Sequence, residues 1–340
     1  TDAGGYFSDT VPSGFVALTQ DNMAENTAGI TGFSWIKNRD AADNHNLTDR
    51  VRGIYEYIIS NSNANQATDT NSVQRFLQQG VQVGNMDDVN TVDESYVLWN
   101  WVANGTSNPS ANTDAGFSIA TWTGNGTSGN TVSHGLGVIP EFICVKKLTA
   151  GDDGTPRNWA TYHGSEGATE YASLSTNAAF ASNSGYWNNG SPAFSTTTFT
   201  VGNDNSVNAN AATYVAYCWA GVDGYSKFGS YTGNGDADGP FIYCGFKPEF
   251  VIHKRSVGEI GNWIMQDAQR NPYNPAGIRL NADNDYSEAT VGVQYIDLVA
   301  NGIKIRNASG GSNTSGHTYI YMAWAENPFG GSGVGQARAR

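Results

Sequence analysis

An alternating run of oxygen ligands is "NGDADG", which sets Asn234, Asp236 and Asp238 at every second position with Gly239 next. That spacing matches the first half of a calcium loop. No Glu stands at the twelfth position, and the related run "NGTSGN" carries no acid. The three residues therefore read either as a Ca2+ site or as decoration on a turn, and no other cofactor is indicated. "NADNDYSE" offers Asp283, Asp285 and Glu288 in the same ambiguous way. For sugar recognition, exposed aromatic rings are the usual platform, and Trp122, Tyr186 and Trp187 are the candidates, with packing inside a core as the other reading. Hydrolytic machinery is harder to find. The histidines at 45, 134, 163, 253 and 317 are scattered, and neither HExxH nor G-x-S-x-G occurs. No catalytic residue is assigned.

The composition says what must hold such groups. Charged residues make up 14% and aromatics 12%, and there are 41 glycines. Gly, Asn and Asp suit turns, while Tyr, Trp and Thr suit a pleated surface. The expected fold is all-β. A net charge of −13 argues against nucleic acid as a partner. No apolar stretch approaches the ~20 residues of a membrane span. Cys144, Cys218 and Cys244 lie in apolar runs without metal-ligand spacing, so buried free thiols are expected. The start at Thr1 suggests a fragment or processed product. The Asn-X-Ser/Thr triplets at Asn46, Asn104, Asn125 and Asn307 are expected by chance in so Asn- and Thr-rich a chain.

The chain repeats itself. "TWTGNG" (121–126) returns as "SYTGNG" (230–235), and Pro-Glu-Phe follows each, at 140–142 and 248–250. "YVLWNW" (96–101), "YVAYCW" (214–219) and "YIYMAW" (319–324) alternate with one apolar face, ending in Trp101, Trp219 and Trp324. A period of two with one apolar face marks a strand over a core. Lys37, Lys146 and Lys254 fall in register, as do Asp49, His163 and Asp267. The last position changes identity, which suits a hydrogen-bonding post better than shared catalysis. A repeat longer than ~20–50 residues is domain-sized. The expected organisation is three tandem homologous β-sandwich-like modules with short helical turns. They span 15–108, 115–228 and 229–329, with a linker at 109–114, an N-terminal linker at 1–14 and a flexible tail at 330–340. A short helix is expected in "TNSVQRFLQQG" (70–80), capped by Asn71 or Ser72 and stopped by Gly80. Asn-Gly in both TGNG runs predicts type I′ hairpin turns.

With these blocks assembled, "FSWIKNRDAADNHNLTDRVRG" (33–53), "VSHGLGVIPEFICVKK" (132–147), "GSYTGNGDADGPFIYCGFKPEFVIHKRS" (229–256) and "YIYMAWAENPF" (319–329) resemble the C-terminal repeat region of large marine bacteriophage virion proteins, which are tail-fibre-like structural proteins. In that family "VPSGFVAL" (11–18) would follow a lectin-like or SPRY-like segment, and the first copy here starts short. The resemblance implies a virion component, made in the host cytoplasm and carried on the particle surface, with other virion proteins as partners. It supplies no catalytic residues. The expected function is non-enzymatic: a fibre or appendage part, its tandem modules giving reach, that contributes to attachment to a bacterial surface glycan or receptor. A homotrimer is the expected assembly. The rivals are a polysaccharide-degrading depolymerase module and a purely architectural capsid or baseplate component.

Overall fold

The structure, a computed structural model, describes residues 31–77, 80–103, 106–187, 194–290 and 295–325. The segments 1–14 and 330–340, the start of the first module and the triplet at Asn104 lie outside them. Among the described residues the regular elements are β-strands apart from two single-turn helices, Asp87–Asn90 and Asn205–Asn208.

Three large antiparallel sheets share one plan. Thr31–Asn38 lies between Asn46–Asp49 and Tyr96–Val102. Phe142–Lys147 lies between Ala160–His163 and Thr213–Trp219. Phe250–Arg255 lies between Ile264–Asp267 and Thr318–Trp324. A smaller sheet covers the outer face of each. In the first unit the hairpin Val73–Leu77 and Gly80–Val83 packs Val73, Phe76 and Val81 on Ile36. In the second, Asn130–Ser133 and Thr198–Val201 pack Val132, Phe199 and Val201 on Ile143 and Tyr214. In the third, Phe241–Tyr243, Gly302–Ile305 and Ile296–Val299 contribute Ile242, Ile303 and Ile305. Each unit is a sandwich because a sheet with one apolar face must bury it on another layer.

The inner faces bury one another. Trp101, Trp219 and Trp324 meet edge to face, at 5.7 Å (101–219), 5.5 Å (101–324) and 6.1 Å (219–324) between centroids. Each also stacks at 5.4 Å on the Phe opposite it in its sheet, Phe33, Phe142 or Phe250. The Phe of both Pro-Glu-Phe runs is thus part of the axial core. Around the core, backbone bonds close the circle: Gln66 N–H donates to Leu148 O, Phe180 to Ser256 O and Glu288 to Arg39 O, at 3.1, 3.0 and 2.8 Å. First binds second, second binds third, and third binds first. The units are therefore closed into a ring and not strung out for reach. Burying ~200 Å² of each Trp, at ~25 cal/mol per Å², contributes at most about 5 kcal/mol per ring before entropy is counted, shared between the Phe of its own sheet and closure of the circle.

Three expectations are corrected. In place of the helix expected over 70–80, Val73–Leu77 form a strand and Gly80 opens the next one, because a bulge between Val73 and Arg75 puts Val73 and Phe76 on one face and imitates a helical period. The linker 109–114 contains Ser110–Asn112, which pairs with Phe117–Thr123 as an edge strand of the second sheet. The boundary at 228 falls inside Ser226–Thr232, which pairs with Thr318–Trp324 and belongs wholly to the third sheet.

Candidate functional site

The polar positions that repeat in the sequence converge on the seams between units. Asp49 accepts the hydroxyl of Tyr217 at 2.7 Å and pairs with Arg52, whose guanidinium also reaches Tyr217 at 3.1 Å. At the matching place His163 Nε2 meets Tyr321 O at 3.3 Å. Ser165 N–H donates to its Nδ1, so Nε2 carries the proton. Asp267 pairs with Arg270 at 2.7 Å, and that guanidinium lies over Trp99, 5.5 Å from the ring centroid. Burial holds His163 down at about 4, so the imidazole stays neutral.

One residue before each of these strands, a ring nitrogen bonds across the next seam. His45 Nε2 reaches Asn281 O at 3.0 Å, Trp159 Nε1 reaches Ile59 O at 2.8 Å, and Trp263 Nε1 reaches Ser173 O at 2.9 Å. The registered lysines are buried too. Lys37 Nζ donates to Asn38 O and Ala41 O, Lys146 to Arg157 O, and Lys254 to Gly261 O. Desolvation lowers them to about 8, 7 and 8. Burial raises all three thiols, Cys144, Cys218 and Cys244, which keeps them protonated. All are shut away from solvent; the lysines and ring nitrogens serve as hydrogen-bonded posts, and the thiols fill the cores.

TGNG is neither a type I′ turn nor a hairpin. Gly126 and Gly235 take φ of 68° and 71°, but Asn125 and Asn234 are not among the positive-φ residues. The chain leaves the large sheet there, and the next strand pairs in the small one. A buried carboxamide locks the crossing. Asn208 Nδ2 donates to Asn125 Oδ1, Thr127 O and Gly202 O at 3.1, 2.8 and 2.8 Å, and its Oδ1 accepts Asn125 N–H at 3.0 Å. Asn313 does the same for Asn234 Oδ1, Asp236 O and Asn307 O at 2.9, 2.7 and 2.7 Å. The local turn signal was right about the glycine and blind to the distant Asn.

The candidate calcium ligands are engaged with one another and with their loop. Asn234 Oδ1 accepts Asp236 N–H, Asp236 Oδ1 accepts Asp238 N–H, and Asp238 pairs with Lys304 at 2.7 Å. Among the described residues no group of three or more His, Cys, Asp or Glu side chains is arranged to hold a metal ion.

The sugar candidates sit elsewhere than a platform requires. Trp187 is fully buried beside Tyr162 and Phe194. Tyr186 is buried and stacks on Tyr171 at 3.7 Å. Both belong to the buried core of the second unit, where Tyr162, Phe194 and Tyr171 pack against them. Trp122 is half-buried, one face on Tyr214 at 5.1 Å and its Nε1 bonded to Val207 O. The exposed rings are others: Phe241 (48%), Tyr243 (62%), Tyr273 (84%) and Tyr286 (66%). Among the described residues every exposed aromatic ring lies in the third unit. Phe241 and Tyr243 flank buried Ile242 on one strand. The matching positions of the second unit are Thr131 and Ser133. That difference between copies was the signal available in the sequence.

No curated protein and no solved structure matches this chain. Its repeated posts and closed ring belong to one continuous unit of sequence: the chain matches the family model described as a domain of unknown function, DUF7483, over residues 2–328, and it is a member of that family.

Proposed function

We propose that this chain is a non-enzymatic structural protein of a phage virion, part of a fibre or appendage on the particle surface, which contributes to attachment to the host cell through a surface glycan. The observation that carries the reading is the use made of the repeated polar residues. Asp49, His163 and the ring nitrogens of His45, Trp159 and Trp263 bind across seams between units, and Asp267 holds the Arg270 guanidinium that lies over Trp99 across the third seam. A chain built this way is a rigid block, suited to bearing load and presenting loops. Other virion proteins are its structural partners. Any homotrimer has to form through other surfaces, since the seams related by the ring are already buried within one chain.

The test is direct. Antibody to the recombinant chain, conjugated to gold, should label an appendage on purified particles of the phage that encodes it. Particles lacking the chain refute the reading. New reducing ends released from host polysaccharide by the chain alone would replace it with the depolymerase.

A further inference from the structure

The buried seams repeat around the ring, whereas the outer faces do not, and the difference concentrates in one place. In the third unit the small sheet turns Phe241 and Tyr243 outward from Phe241–Tyr243, with Ile242 pointing into the core. Alternate residues of a strand stand about 7 Å apart on the same face. Lys304 lies opposite Phe241, and Asp297 lies opposite Lys304 on the third strand. Gly302 lies opposite Tyr243 and so sets no side chain beside that ring. The charges are already matched: Lys304 pairs with Asp238 at 2.7 Å, and Arg306 with Asp297 at 3.3 Å. The corresponding face of the second unit carries Thr131 and Ser133, so the sandwich does not need rings there to fold.

We propose that this outward face of the third unit binds a neutral polysaccharide chain. The proposal rests on the attachment reading above and names its site and ligand class. Phe241 and Tyr243 offer two ring faces to the apolar faces of sugar rings, while Lys304, Asp297 and Asp238 bond hydroxyls along the strand. Flat aromatics with few rotatable bonds lose little entropy in such contacts. The ligand is neutral because the face presents paired charges, and a chain of net charge −13 repels an acidic polymer.

Affinity electrophoresis of the whole chain tests this, in native gels cast with dextran, laminarin or galactomannan and with a polymer-free gel as reference. At least one of these neutral polymers should retard the wild type. The double variant Phe241→Thr with Tyr243→Ser, which installs the residues of the second unit, should weaken retardation at least tenfold at an unchanged melting temperature. Tyr273→Ser, an exposed ring elsewhere, should migrate like the wild type. Free migration of the wild type in all three gels overturns the proposal, and so does equal retardation of the double variant. If light scattering shows self-association that the double variant abolishes, the face belongs to a second copy and the proposal falls. A chain found on the virion that ignores all three polymers loses this site and keeps its structural role.

Discussion

The Tyr217 hydroxyl donates to Asp49 Oδ2 at 2.7 Å across the seam between the first and second units, with both side chains buried. Arg52 completes the group from the Asp49 side. Removing one member of a buried ion pair strands the other charge. Asp49→Ala should therefore cost about 3–5 kcal/mol. Tyr217→Phe removes one hydrogen bond to a buried carboxylate and should cost about 1–3 kcal/mol. Urea unfolding measures both. An unchanged midpoint for Tyr217→Phe would mean that the seam is open in solution.

The axial tryptophans make a second case. Each of Trp101, Trp219 and Trp324 touches the other two. Replacing any one by Ala should cost about 3–5 kcal/mol. A pair of such changes should depart from the sum by more than about 0.5 kcal/mol, because the rings share one cavity. Scanning calorimetry of the wild type should show one cooperative transition for the described ring. Three separable transitions would indicate three independent units.

The TGNG crossing should be sensitive in a particular order. A Cβ on Gly124 would lie 2.2 Å from Ala209 O, and one on Gly233 would lie 2.3 Å from Thr314 O. Both meet backbone, which cannot swing aside. Gly124→Val and Gly233→Val should be among the most damaging changes in the loop. Gly126→Val has room but a φ of 68°, and should cost about 1 kcal/mol or more. Asn208→Ala leaves the buried Gly202 O without this donor and frees Thr127 O and the Asn125 N–H, at about 1–3 kcal/mol. Thermal melts of the four variants give the ranking, and an Asn208→Ala protein as stable as wild type would contradict the locking role.

Acid should act through the buried histidines: burial lowers His45 and His253 to about 3 and lowers His134 as well, and His163 is the one at a seam between the second and third units. Its folded pKa of about 4 lies below the ordinary 6.5 because burial disfavours the charge. The unfolded chain therefore binds a proton that the folded chain refuses. Stability from this group is complete above pH 6.5 and is lost as the pH falls toward 4, by up to about 1.4 kcal/mol per pH unit. Asp88, raised to about 6 by burial, works in the opposite direction over part of that range. His163→Gln removes the titration and keeps a donor for Tyr321 O. The variant should lose less stability than the wild type over the window, by up to that slope, in urea titrations at several pH values. Equal slopes would show that His163 takes its proton without cost.

Much of this architecture was legible because it is local. The alternation Val97, Trp99, Trp101 names a covered strand face wherever it occurs, since neighbouring side chains of a strand point to opposite sides. The matched Tyr, Trp and Lys positions, repeated through the chain, announced equivalent strands. Local pattern failed where a distant partner decided the outcome. Val73 and Phe76 share a face only because a bulge shifts their pairing with Gly80–Val83. Asn125 and Asn234 look like hairpin residues until Asn208 and Asn313, far along the chain, claim them. Trp187 and Phe241 are both aromatic residues outside the repeated core, and only the covering layer makes one buried and the other exposed. An apolar inner face states that it must be covered, but not by what. Sequence alone determined three such faces, and the tertiary structure decided that they cover one another, because closing a ring buries all three against tryptophan at once and leaves none for solvent.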